Sequence, residues 1–383
     1  GNWPAAVDTQ DEPNDMKNGQ FIGMGAVFGI GSVLLSWYGN PANTGLCISC
    51  FLENVSGALS LHQYDRMQYL RPEIPAIVLG SFFWSLRRRE FSATGGSSPA
   101  LRFVAGILVV IGCSVFIGCP VKMVLRIAAG DLGALAGLVG LAAGIYVGLE
   151  FIEHGFELGK PQRTTRAAGY LLPALMLILL VFALARPAFI AESVTGGGAQ
   201  HAPLLISLAI GLIIGAWAQR TQFCITGGIA RIFLWGPREI MNCPRSTGLL
   251  ISIGSFFVFA LITSLITGRF NLALHGQPSS NENYGWNFLG LALTGFGSVL
   301  IKGCPLRQLV VAGQGDTDGA VTVFGMLVGA ALVQNWNLGG TAAGTPPAAQ
   351  MAVVAGFIIL LAIALLNRRR GFGIAPEFQT GLD

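Results

Sequence analysis

Apolar runs of two lengths alternate along this chain. Long spans occupy roughly 19–38, 73–86, 101–118, 132–152 and 167–187, then 203–219, 247–268, 286–302, 319–336 and 347–367. Most approach the run of about 20 apolar residues with which an α-helix crosses a bilayer. Four shorter stretches lie between them, at about 44–60, 120–129, 223–236 and 305–314, among Gly, Cys and Pro. They are too short to span and read as half helices or re-entrant segments. Such pieces survive at membrane depth only where protein covers their backbone. The order span, short piece, span, span, short piece, span, span occurs twice. Residues 19–187 therefore read as one repeat and 203–370 as a second, joined by a loop at 188–202 with Gly196-Gly197-Gly198. Residues 1–18 and 371–383 read as polar tails.

Composition sharpens this to an all-α polytopic membrane protein. Of 383 residues, 52% are hydrophobic and 11% charged, against about 25% charged in soluble domains. The 53 glycines suit close helix packing in lipid. A net charge of +4 gives no footprint for nucleic acid. Basic residues cluster at Arg87-Arg88-Arg89, at Lys160, Arg163 and Arg166, at Arg231, Arg238 and Arg245, and at Arg368-Arg369-Arg370, while 188–202 and 271–285 hold no Lys or Arg. The positive-inside rule puts the former in the cytoplasm, with both termini. Five crossings per repeat then insert the second repeat upside down, an inverted duplication.

One motif is written twice. Gly118-Cys119-Pro120-Val121-Lys122 returns as Gly303-Cys304-Pro305-Leu306-Arg307, and Gly130-Asp131 follows the first as Gly315-Asp316 follows the second. Pro cannot continue a helix but fits the first position of a new one. Cys119 and Cys304 are thus expected at the N-caps of fresh short helices, where unpaired N–H groups and the positive dipole end welcome an anion or thiolate. Lys122 and Arg307 add a cation one turn on. Gly130 and Gly315 are expected to end the short helices, and Asp131 and Asp316 to cap the next. A single Gly-Cys-Pro is as well explained by a packing kink; two copies with matched cations favour a site.

Two more cysteines fit the pattern. Cys47, in Gly45-Leu46-Cys47-Ile48, aligns with Cys224, in Gln222-Phe223-Cys224-Ile225, and each opens a short segment. Up to four thiols, Cys47, Cys119, Cys224 and Cys304, thus have a route to a common centre, although Cys47 and Cys224 suit plain packing equally well. Cys47 and Cys50 form a C-x-x-C, but no second pair or nearby His makes it a metal site. Cys113 aligns with Ser298 and reads as packing, and Cys243 as surface. Seven cysteines, several in apolar runs, argue for thiols rather than a disulfide framework.

The segments at 40–59 (N-P-A-N-T-G-L-C-I-S-C-F-L-E-N-V-S-G-A-L), 69–74 (Y-L-R-P-E-I) and 116–132 (F-I-G-C-P-V-K-M-V-L-R-I-A-A-G-D-L) resemble the YeeE/YedE membrane family, most of all its selenium-metabolism branch. The resemblance runs from about 20 to 370. It implies a transporter of the bacterial inner membrane. In the thiosulfate-uptake members, cysteines lining a constriction pass the anion inward by S–H hydrogen bonds without covalent capture. That role would fall here on Cys119 and Cys304, with Cys47 as a third thiol. The family implies a small soluble sulfur-carrier protein as cytoplasmic partner. The chain differs from thiosulfate members in placing Pro and then Lys or Arg after the constriction cysteine.

The expectation is a permease, not an enzyme, for a small inorganic sulfur or selenium anion such as thiosulfate. It needs no cofactor and no metal, and the lipid bilayer is its surroundings. Soft sulfur or selenium suits thiol partners. Two other classes compete. A membrane thiol enzyme, a sulfurtransferase or disulfide oxidoreductase, would use Cys47 and Cys50. A soft-metal transporter would use the thiols alone, but Lys122, Lys302 and Arg307 repel a cation. No P-loop points to nucleotide hydrolysis.

Overall fold

A computed structural model describes residues 18–234 and 244–368. The tails, Arg238, Cys243, Arg369 and Arg370 lie outside the described residues, as does the side chain of Arg245. The described chain is helical apart from two short strands. The first half runs α1 (Asn18–Trp37), α2 (Ile48–Ala58), α3 (Glu73–Arg87), α4 (Pro99–Phe116), α5 (Pro120–Ala128), α6 (Ala134–Glu153) and α7 (Arg166–Ala185). A short turn of helix, α8 (Gly196–Ala199), lies in the linker. The second half runs α9 (Leu204–Thr221), α10 (Ile225–Leu234), α11 (Pro244–Ile266), α12 (Tyr284–Leu300), α13 (Pro305–Gly313), α14 (Thr317–Trp336) and α15 (Pro347–Leu366). The strands β1 (Thr94–Gly95) and β2 (Gln162–Arg163) pair antiparallel.

Each long span and each short piece expected from the apolar pattern is a helix. Among the described residues, 9 helical stretches are long and apolar enough to cross a membrane. The remaining expected span, α3, has 15 residues. At about 1.5 Å per residue it reaches about 22 Å, short of the roughly 30 Å hydrocarbon layer.

Close packing is built on glycine, and the seams occur in matched pairs. Gly25 and Gly29 of α1 lie against the α11 backbone at Ser252 and Phe256; Gly211 and Gly215 of α9 lie against α3 at Glu73 and Ile77. Gly140 and Gly144 of α6 face the carbonyls of Phe288 and Ala292 on α12; Gly325 and Gly329 of α14 face those of Phe103 and Ile107 on α4. In the second pair of seams every residue sits at the same offset from its counterpart as Cys119 from Cys304. At the centre Gly112 of α4 and Gly290 of α12 touch each other's carbonyls, where an added Cβ would come within 2.5 and 2.8 Å. Small residues let backbones approach this closely, the source of helix attraction in lipid.

The loops sort to two ends. At one, β1 pairs with β2, Phe156 bridges to Arg368, and Gln219 Nε2 donates to Glu90 Oε2 at 2.7 Å. This end gathers the basic stretches at 87–89 and 160–166. At the other, the Ala202 N–H donates to Asn40 Oδ1 at 2.9 Å and Asn43 Nδ2 to Gln277 Oε1 at 3.2 Å, joining the loops after α1, α8 and α11.

Candidate functional site: two buried thiol pairs at helix breaks

Each of the four aligned cysteines opens a short helix. Cys47 is the N-cap of α2, Cys119 of α5 and Cys304 of α13, all with extended backbone. Pro120 and Pro305 take the first helical turn, where a missing N–H costs nothing. Cys224 directly precedes α10. Its thiol accepts the Gly227 N–H at 3.3 Å, so sulfur does the capping normally done by a hydroxyl or carboxylate.

The thiols meet as two pairs, one in each half, rather than as a single cluster of four. The Cys119 N–H donates to Cys47 Sγ at 3.4 Å. Equivalently, the Cys304 N–H donates to Cys224 Sγ at 3.5 Å, and the two sulfurs lie 3.6 Å apart. Two helix N-termini therefore close on each pair, α2 with α5 and α10 with α13. Cys47, Cys119, Cys224 and Cys304 are 0, 1, 5 and 1% exposed, so both pairs are shut off from solvent. Cys50 joins the first pair, its sulfur 3.0 Å from Cys47 Sγ. Cys113, which read as packing, is buried on α4 and receives a weak bond from Thr294 Oγ1 at 3.6 Å.

The cations differ in burial between the two halves. Lys122 is buried and, among the described residues, forms no ion pair. Its stem folds back over Gly118, where a Cβ would sit 2.7 Å from Lys122 Cδ. Arg307, half-buried, folds over Gly303 in the same way, at 2.6 Å from its Cγ. Glycine at 118 and 303 therefore makes room for the cation's stem. Near Cys224, the Thr226 hydroxyl is buried with no hydrogen-bond partner among the described residues, and so is that of Ser298 on α12.

The helix breaks leave carbonyls that must be satisfied at membrane depth. Arg126 serves the first: Nη1 donates to Phe116 O at 2.9 Å while Nε pairs with Asp131 Oδ2 at 2.6 Å. In the second half Gln308 Nε2 donates to Ile301 O at 3.0 Å and Arg102 Nη1 to the same carbonyl at 3.3 Å. Gly130 (φ +93°) and Gly315 (φ +101°) end the short helices in a conformation that favours glycine. Asp316 caps α14, accepting the Gly319 N–H at 2.9 Å. Asp131 does not cap α6, whose N-cap is Gly133. The buried Arg126 has no counterpart cation, since Val311 stands at the matching position, and it claims the Asp131 carboxylate instead.

The first half also holds a group that motif reading passed over. Glu53 of α2 is 6% exposed and accepts from Ser114 Oγ and from Gln334 Nε2, both at 2.6 Å. A lone acid inside an apolar short segment was its only sequence signal. Among the described residues no group of three or more His, Cys, Asp or Glu is arranged to hold a metal ion. No protein-family model matches the chain, and no curated protein matches it.

Proposed function

We propose that this protein is a permease carrying a small inorganic anion of sulfur or selenium, thiosulfate or a selenium analogue, past its thiol pairs into the cell. The observation that carries this is the pair of helix N-termini meeting at a buried thiol contact in each half, with the buried Lys122, which forms no ion pair among the described residues, on the helix that opens at the first. Positive dipole ends and a cation attract the anionic oxygens. Polarizable thiols suit the soft atom, and as weak donors they release it.

Two inverted repeats explain why the same seams recur. The contact of α1 with α11 answers that of α9 with α3, and the contact of α6 with α12 answers that of α14 with α4. These exchanges favour a pseudo-two-fold axis between the halves, the frame on which broken-helix transporters are built. The basic end would face the cytoplasm, and the resemblance to the YeeE/YedE family and its sulfur-carrier partner agrees with this assignment. The bacterial inner membrane is the setting it implies.

The test is uptake of radiolabelled thiosulfate and selenium compounds into proteoliposomes. Uptake by the wild type, lost in Cys119→Ser and in Cys304→Ser while both variants keep their thermal transition, is expected. Uptake unaffected by either substitution refutes a thiol pathway. The 3.0 Å contact of Cys47 and Cys50 supports a second reading, a dithiol enzyme. Its mark would be a covalent adduct or disulfide at Cys47 after exposure to substrate, seen by mass spectrometry.

A further inference from the structure

Glu53 is a buried carboxylate, and among the described residues no cation pairs with it. Buried charges are ordinarily paired, and an unpaired acid at membrane depth marks function. Its two partners come from opposite halves of the molecule: Ser114 on α4 and Gln334 on α14. A hydroxyl and an amide can each accept as well as donate. The carboxyl therefore keeps both hydrogen bonds whether ionised or protonated.

The duplication supplies a control. The positions matching Glu53, Ser114 and Gln334 in the other half hold Ala230, Val299 and Leu149. The same scaffold thus packs with three apolar residues in one copy and a polar trio in the other. Folding does not demand the trio. It also lies near the end of the molecule opposite the basic loops: Gln334 precedes the exposed Asn335, whose Nδ2 donates to Leu61 O at 2.9 Å. The buried ring of His62 sits on the Glu53 carbonyl at 2.9 Å.

We propose that Glu53 is a proton-binding site that couples inward movement of the anion to inward movement of a proton. This rests on the permease function proposed above. The carboxylate takes a proton from the non-basic end, forming the O–H bond of the neutral acid, and gives the same proton up toward the basic end. Cys47 and Cys50 precede Glu53 on α2, and Cys50 and Glu53 share a face at i, i+3. The protonation state is therefore felt at the first thiol pair. Other titratable or charged groups on neighbouring elements are Cys113 on α4, Lys122 on α5, His62 in the following loop, Glu73 opening α3, Arg307 on α13 and the buried Arg71 before α3, whose guanidinium donates to Asn54 Oδ1 at 3.5 Å and lies over the Phe51 ring of α2. Lys122 is a fixed charge on α5; the proton carried by Glu53 is the charge that moves. An anion entering against a negative interior needs such a co-moving positive charge.

The experiment uses the full chain in proteoliposomes with a trapped pH dye and radiolabelled thiosulfate, acid outside. Wild type, E53Q and the triple variant E53A/S114V/Q334L are compared. The triple variant copies the packing of the other half, so it keeps the fold if E53Q does not. In the wild type thiosulfate is expected to acidify the lumen, and the gradient to raise uptake severalfold. In the variants the ratio of uptake with and without the gradient falls to unity. Wild-type uptake without acidification, or variants that keep the gradient response, overturns the proposal while leaving the permease intact. If the wild type takes up neither thiosulfate nor a radiolabelled selenium compound, the permease itself fails. Infrared difference spectra then decide Glu53: a protonated-carboxyl band that titrates with pH and vanishes in E53Q retains the proton site, and its absence overturns it.

Discussion

Alanine at Gly29 tests the packing on which the whole arrangement depends. A Cβ there would lie 2.7 Å from Phe256 O and 2.8 Å from the Ala260 N of α11, where ordinary contact begins at 3.4 Å. Helices α1 and α11 must therefore part by roughly 0.7 Å, the shortfall of 2.7 Å from 3.4 Å. Overpacking costs about 1–3 kcal/mol, and the obstacle here is backbone that cannot rotate aside, so the upper value applies. Alanine returns about 1 kcal/mol over glycine inside a helix, leaving a net loss of about 2 kcal/mol. The control lies on α11, at an exposed position away from the seam. Gly254 of α11 has nothing within 4 Å of its would-be Cβ, so Gly254→Ala is expected to gain about 1 kcal/mol. Reversible unfolding in mixed micelles, followed by circular dichroism, measures both. A Gly29→Ala variant within about 0.5 kcal/mol of wild type, or a Gly254→Ala variant equally damaged, refutes the glycine-seam account.

Asp131→Ala and Asp316→Ala should differ although the two aspartates match in sequence. The first strands a buried guanidinium and costs about 3–5 kcal/mol; the second removes an N-cap and costs about 1 kcal/mol. Equal losses in the same unfolding assay would contradict the roles assigned to them. Mild oxidation should link Cys224 to Cys304 and join Cys47 to Cys50 or Cys119, read by peptide mass spectrometry; a Cys119–Cys304 link would overturn the two-pair arrangement. At the loop before α12, Glu282 accepts the Gly276 N–H at 2.7 Å, a bond that holds its carboxyl below the usual value. A depressed acid contributes above its unfolded pKa and loses that contribution as pH falls through the folded one. Acidification below about pH 4 should therefore release the Gly276 amide to hydrogen exchange, after correction for the intrinsic rate, and unchanged protection refutes the tie.

Helix positions were legible in the sequence because each follows from local chemistry. Apolar length marks a span, and Cys-Pro after an apolar run marks a break and a fresh start. The N-cap places of Cys119 and Cys304 followed from the Cys-Pro break, the helix-opening places of Cys47 and Cys224 from their alignment between the halves, and the terminating roles of Gly130 and Gly315 from spacing. What sequence could not decide was which ends meet. Four thiols at four helix starts allow one cluster or two pairs, and only the approach of the start of α2 to that of α5, and of α10 to that of α13, chose pairs. The repeat likewise suggested one role for Asp131 and Asp316. A buried Arg126 facing one of them, and Val311 in its place in the other half, split those roles. Glu53 became visible only when α4 and α14 brought Ser114 and Gln334 to it from distant parts of the chain. Local sequence determines where helices begin and end; the partners of Glu53 and of the paired thiols lie from 61 to 281 positions away along the chain, and those contacts exist only in the folded bundle.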